Sequence, residues 1–139
     1  MYRVLILGGG FGGVAAAHRL KQVLPPEDEV ILVDRRDYFM MGFRKTWELV
    51  GTAPAQEGQR PLERLGRIGV QVMREAVSAI HPAERRVELE SGDLQADALL
   101  IALGAELAPE MIPGLQQHGH NVYDPGEIPR GASALQALS

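Results

Sequence analysis

Six residues, Gly8-Gly9-Gly10-Phe11-Gly12-Gly13, and one acid, Asp34, carry the chemistry that this chain shows most openly. A run so poor in side chains offers backbone N–H groups, and backbone N–H groups bind anions. Gly8 permits a tight turn. Gly10 lacks a Cβ, so the backbone can approach a pyrophosphate. Gly13 lets a following helix pack close to the strand before it, and Ala17, one turn later, keeps that face small. Asp34 lies 21 positions beyond Gly13. At that distance its carboxylate can accept hydrogen bonds from a ribose diol. The same carboxylate argues against a 2′-phosphate, since two anions would face each other. Arg35 and Arg36 soften that argument without reversing it.

These residues need elements to hold them. Tyr2-Arg3-Val4-Leu5-Ile6-Leu7 is a short apolar run rich in branched residues, which reads as a buried parallel strand. Val14 to Leu20 is Ala-rich and reads as a helix. Pro25-Pro26 cannot continue it. Glu29-Val30-Ile31-Leu32-Val33 is a second strand that ends on Asp34. Strand, glycine turn, helix, strand and acid make a dinucleotide-binding βαβ unit. A glycine-rich turn in some other α/β protein is the alternative. The spacing of all five parts favours the nucleotide.

Downstream, Tyr38-Phe39-Met40-Met41 leaves the carboxyl end of the second strand, either to wall a cofactor cleft or to pack on the core. Phe43 to Val50 is expected as a short helix with Phe43, Trp47 and Val50 on one face. Trp47 is then expected in the core, and Arg44 and Lys45 on a solvated face. Thr52 to Arg60 is a polar connector, and Pro61 to Leu65 a short helix. Gly69 to Met73 begins a third strand, and Glu75 to Ile80 continues as extended chain. Arg86-Val87-Glu88-Leu89-Glu90 alternates charged with apolar residues, turns at Ser91-Gly92-Asp93 and returns through Leu94-Gln95-Ala96. That is a half-exposed strand and its return, a small antiparallel insertion too solvated to be a central sheet strand. Asp97 to Ala105 is an apolar strand ending in small residues, expected buried beside the first strand. Glu106 to Gly114 is a loop, Leu115 to Gly131 is polar and turn-rich, and Ala132 to Ser139 begins to look helical.

The expected fold class is therefore α/β: a Rossmann-like FAD/NAD(P)-binding domain over residues 1–139, a parallel sheet with helices and a small antiparallel β insertion. The length of 139 residues suits one domain. A net charge of −4 gives no electrostatic reason to expect nucleic acid. Arg3 leads straight into the first strand, so no signal peptide is expected and a cytoplasmic setting is the default. The sequence has no cysteine, which excludes a disulfide, a thiolate metal site or a Cys nucleophile within this chain. His118 and His120 make an isolated pair without a third ligand of suitable spacing, so no metal site is expected. GxSxG, HExxH and P-loop lysine signatures are absent from the sequence.

With the glycine run, the stretch Val33-Asp34-Arg35-Arg36-Asp37-Tyr38-Phe39, the strand Ala98-Leu99-Leu100-Ile101-Ala102-Leu103-Gly104-Ala105 and Ile112-Pro113-Gly114 all in order, the chain resembles a known group. It is similar to the N-terminal FAD-binding region of the pyridine nucleotide-disulfide oxidoreductase-like flavoproteins, in the branch of type II NADH:quinone dehydrogenases and sulfide:quinone oxidoreductases. The resemblance implies FAD as cofactor, with Gly8, Gly10, Phe11, Gly12 and Gly13 at its pyrophosphate. It puts Asp34 on the adenosine ribose, Arg35 beside the adenine, the Val77 backbone at the adenine edge, and Ala102, Leu103 and Gly104 close to the pyrophosphate. It also implies electron flow from NAD(P)H or sulfide to a quinone-type acceptor, and a membrane-peripheral site for the full-length enzyme. Leu103 stands where the group usually has Thr or Ser, and Met41 to Lys45 lacks its common Thr-Pro pair. The chain matches about the first third of such an enzyme and stops where an NAD(P)H-binding βαβ unit is expected, so it is not expected to turn over alone. Sulfide oxidation needs Cys nucleophiles, which have room in the rest of such an enzyme; on this sequence alone the NADH type is slightly favoured over the sulfide type. Two rival readings remain: a non-catalytic nucleotide-binding module that forms a homo-oligomer through an exposed apolar face, and the NAD-binding Rossmann domain of a dehydrogenase.

Overall fold

A computed structural model describes residues 1–138. The chain divides into two compact units, Met1–Phe39 with Arg60–Gly104, and Met40–Gln59 with Ala105–Ser139.

The first unit is built on a four-stranded parallel sheet of β1 (Arg3–Leu7), β2 (Glu29–Asp34), β5 (Val70–Arg74) and β9 (Ala98–Ile101), in the order β5-β2-β1-β9. β1 pairs with β2 from Arg3↔Glu29 to Leu7↔Val33, and with β9 from Val4↔Ala98 to Leu7↔Ile101. The chain therefore builds outward from β1 on one side through β2 and β5, then returns to its other side with β9. That reversal makes the carboxyl ends of β1 and β9 a topological switch point, where open α/β sheets bind ligands.

Both faces of the sheet are covered, which is why β1, β2 and β9 read as apolar runs, while the edge strand β5 admits the exposed Gln71. The period of two along each strand divides the core. Leu5, Leu7, Ile31 and Val33 face one way, against Val87, Leu89 and Ala96. Ile6, Val30, Leu32 and Val70 face the other way, against Ala17, Leu62 and Leu65. The helix on the second face is α1 (Phe11–Val23). It stops at Leu24, which is extended at φ −83° and ψ 149° because Pro25 follows it.

The cover on the first face is a three-stranded antiparallel sheet of β6 (Val77–His81), β7 (Arg86–Leu89) and β8 (Gly92–Gln95). The half-exposed strand expected from Arg86 to Glu90 is found as β7, in a small antiparallel sheet apart from the central one. The alternation in β7 puts Arg86 and Glu88 outward, but it buries Val87 and Leu89 in the main core. β9 is less buried than expected: Leu99 and Leu100 are half-buried and Ile101 is exposed, because β9 lies at the edge of the sheet. β3 (Tyr38–Met40) and β4 (Gln59–Pro61) form a two-stranded ribbon, and Leu62–Ile68 is a 3-10 helix that follows Pro61.

The second unit contains α2 (Arg44–Leu49), α3 (Leu115–His118) and α4 (Ile128–Gln136). α4 starts four residues before the expected Ala132, with Pro129 in its first turn, where a missing N–H costs nothing. Ser139, the last residue of the expected helix, lies outside the described residues. In α2 the expectation is inverted. Phe43 and Trp47 are 79% and 45% exposed, whereas Lys45 is 8% exposed. The Lys45 ammonium donates to the Tyr123 carbonyl and lies 4.0 Å from the centre of the Tyr123 ring. Trp47 is instead covered by the Arg44 guanidinium at 3.9 Å.

Candidate dinucleotide site

The site grows from the end of β1. Gly8 has φ +105°, a conformation that other residues rarely take, and its N–H donates to the Val33 carbonyl at 2.8 Å. A Cβ on Gly8 would lie 2.3 Å from the Ala102 carbonyl oxygen, and one on Gly13 would lie 1.8 Å from the Gly8 carbonyl oxygen. These two glycines are thus required by close approach of backbone to backbone. Gly10 is different: a Cβ there meets nothing within 4 Å. The space that a side chain at Gly10 would fill is the space in which a ligand can lie against the loop.

Gly10 is also the N-cap of α1, extended at φ −81° and ψ −165°, and its carbonyl accepts the Val14 N–H at 3.0 Å. No side chain caps the helix. The first-turn N–H groups after Gly10, with the positive end of the helix dipole, are therefore available to an anion.

Asp34 sits at the tip of β2 with its side chain 8% exposed. Its Oδ2 accepts the Gly9 N–H at 2.6 Å, and its Oδ1 accepts the Arg36 N–H at 2.7 Å. The Arg36 Nε lies 3.6 Å from the same Oδ1. The Asp34 carbonyl accepts the Glu75 N–H at 3.1 Å, which brings the end of β5 beside the end of β2.

The structure thus brings Gly8, Gly10, Gly12, Gly13, Asp34 and Ala102 into one constellation. A Cβ on Gly12 would lie 3.6 Å from that of Ala102, and the Ala102 N–H donates to the Leu7 carbonyl at 2.8 Å. Leu103 and Gly104 follow as exposed chain, with Gly104 at φ +78°. Phe11 is exposed and meets Phe39 edge-on, with ring centres 4.9 Å apart. Arg35 is exposed on the loop after Asp34. Val77 stands apart in its contacts: it pairs with Leu89 and packs against the core behind the sheet. Among the described residues no three His, Asp or Glu come together as a metal site.

Three participants have contacts that a reading of the sequence does not give. Gly9 is one: a Cβ there would lie 2.5 Å from Leu62 Cδ1 and 3.3 Å from Asp34 Oδ2. The triple glycine is its only signal. Arg36, which the sequence offers only as a charge beside Asp34, and Leu62, which carries no signal, are the others.

A topological switch point, a glycine loop that opens a helix and an acid at the next strand tip define an α/β dinucleotide-binding fold. The chain belongs to the pyridine nucleotide-disulphide oxidoreductase family, which matches residues 2–130. Its members are FAD-binding flavoproteins, and the relatives it matches include sulfide:quinone oxidoreductases and type II NADH:quinone oxidoreductases. It is 33% identical to the mitochondrial sulfide:quinone oxidoreductase of Mus musculus, over 84% of this chain and 26% of that protein. It is 35% identical to a demethylphylloquinone reductase of Synechocystis, over 84% of this chain and 31% of that protein. The fold matches that of the sulfide:quinone oxidoreductase of Aquifex aeolicus with a TM-score of 0.89 at 24% identity, covering 99% of this chain and 32% of that one. The chain thus spans roughly a quarter to a third of the length of these relatives.

Proposed function

We propose that this chain is the FAD-binding part of a flavin-dependent oxidoreductase that passes electrons from NAD(P)H or sulfide to a quinone-type acceptor. The observation that carries the reading is the open space at Gly10, framed by the uncapped start of α1 and by Asp34. The first-turn N–H groups from Phe11 to Gly13 would neutralise the pyrophosphate. Asp34 would accept from the adenosine ribose through its remaining lone pairs. Arg35 would flank the adenine, and the Val77 backbone would meet its edge. Ala102, Leu103 and Gly104 would bound the pyrophosphate from the β9 side. Bound flavin supplies the two-electron chemistry, and the protein positions it and excludes side reactions. Donor and acceptor chemistry belongs to the full-length protein of which this would be the N-terminal FAD domain, acting at a membrane surface. Among the described residues no helix is long and apolar enough to cross a membrane.

The test is the absorbance of the purified chain between about 350 and 500 nm after FAD is added and the sample desalted. A flavin band that stays with the protein is the expected result. A colourless chain that retains no FAD overturns the assignment of the cofactor. A reductase rate with NADH or sulfide from the isolated chain overturns the assignment of turnover to the longer protein.

A further inference from the structure

The acid at the end of β2 does something before any ligand arrives. We propose that Asp34 is a positioning residue for the glycine loop: its carboxylate, bonded to the Gly9 and Arg36 N–H groups, fixes the pyrophosphate cradle in the free protein. This rests on the reading of the loop as a dinucleotide site, and it adds a second role to the acid.

Two consecutive N–H groups of the loop are tied to the end of β2, Gly8 to the Val33 carbonyl at 2.8 Å and Gly9 to Asp34 Oδ2 at 2.6 Å. Gly9 is buried, so without the carboxylate its N–H would lose its partner away from water. On its other side Gly9 meets Leu62, whose Cδ1 lies 2.5 Å from where a Cβ would stand. The loop is therefore held between a charged acceptor and an apolar wall, and the orientation of the next peptides, at Gly10 and Phe11, follows from it. A carboxylate beside an anion-binding loop is electrostatically unfavourable in itself, so its presence needs a compensating role. Its charge is met by the Gly9 N–H, the Arg36 N–H and the Arg36 side chain at 3.6 Å. Each carboxylate oxygen has a second acceptor site, so bracing the loop does not compete with a ribose diol.

The two roles separate with two probes, ADP and 2′,3′-dideoxy-ADP, which has the diphosphate but no ribose diol. Binding of both is measured by calorimetry on the wild-type chain, Asp34→Ala and Asp34→Asn. If the brace operates, Asp34→Ala weakens dideoxy-ADP by about tenfold or more, the scale of a hydrogen bond to a charged group. Asp34→Asn falls between, because its amide can accept from only one of the two N–H groups. Dideoxy-ADP binding equally well to wild type and Asp34→Ala, with the loss confined to ADP, would overturn the brace and leave only a ribose contact. Amide hydrogen exchange of the ligand-free chain decides independently of any nucleotide. The Gly9 amide is expected to be protected in wild type and to lose that protection in Asp34→Ala. A Gly9 amide that exchanges freely in wild type overturns the brace. If wild type binds neither nucleotide, the dinucleotide reading fails, and the exchange result alone judges the brace.

Discussion

At the scale of single residues, two glycines of one motif have opposite reasons to be glycine. Gly13 is hemmed in by the Gly8 carbonyl at 1.8 Å, whereas nothing lies within 4 Å of a Cβ on Gly10. Gly13→Ala therefore forces helix and strand apart and should cost at least about 3 kcal/mol in urea unfolding, a large overpacking penalty. Gly10→Ala has a compatible φ of −81° and loses only N-cap preference. Its stability should fall by no more than about 1 kcal/mol. Its FAD affinity should nevertheless fall by about tenfold or more, since the methyl group enters the space left for the ligand. Equal stability losses in the two variants, or unchanged FAD binding by Gly10→Ala, would contradict this division. The glycines were legible in the sequence because each does something that other residues cannot. The partnership of Gly9 with Leu62 and Asp34 was not legible, because it is made by chain segments far apart in sequence that only the packed sheet brings together.

At the scale of elements, the antiparallel sheet shows how far a pattern can be read. The alternation in Arg86-Val87-Glu88-Leu89 specifies a strand with one apolar face, but not what that face covers. The structure puts Val87 and Leu89 on the parallel sheet and leaves a charged cluster outside. Arg86 meets Glu84 at 3.0 Å, Glu88 at 3.3 Å and Asp93 at 2.7 Å, while His81 Nε2 donates to Glu88 at 2.8 Å. The His81 hydrogen bond, then that of Arg86, holds the Glu88 carboxyl below its ordinary range, and the Glu84 hydrogen bond leads those that raise Arg86. A depressed carboxyl stabilises the fold above its unfolded pKa, near the ordinary value of about 4.3, and loses that contribution as pH falls through the lower folded value. A carboxyl titration by NMR should give Glu88 a midpoint below that ordinary value. His81→Ala should raise the midpoint more than Arg86→Ala does. A larger rise in Arg86→Ala would reverse the assigned order of causes. The effect on stability is small, as the pairs are exposed to solvent.

At the scale of the whole molecule, the two units differ in what holds each together. The parallel strands of the first unit bury Leu5, Ile6, Leu7, Leu32 and Val33 completely. In the second unit the buried apolar residues among those described are Ala55 and Ile128. Its remaining order comes from polar ties: Lys45 on the Tyr123 carbonyl, the Ala55 N–H on Glu48 Oε2 at 2.9 Å, and the Tyr123 and Asp124 N–H groups on Asn121 Oδ1. This also explains why the sequence was misleading here. A helix of six residues, Arg44–Leu49, is too short for apolar spacing to decide which face is buried, and a lysine with a carbonyl to meet took the inner place. Segments with few buried apolar contacts open at low free energy, while core strands exchange only on global unfolding. Amides of residues 40–58 and 105–138 should therefore exchange through local openings, well before those of Leu5–Leu7 and Val30–Val33. Ile128→Ala removes the larger of the two buried apolar side chains, at a cost of about 2–4 kcal/mol where packing is intact, and should accelerate exchange in α2 and α4. Protection of the second unit equal to that of β1 and β2 in wild type, or exchange there that is indifferent to Ile128→Ala, would show that polar ties alone hold it as firmly as the sheet.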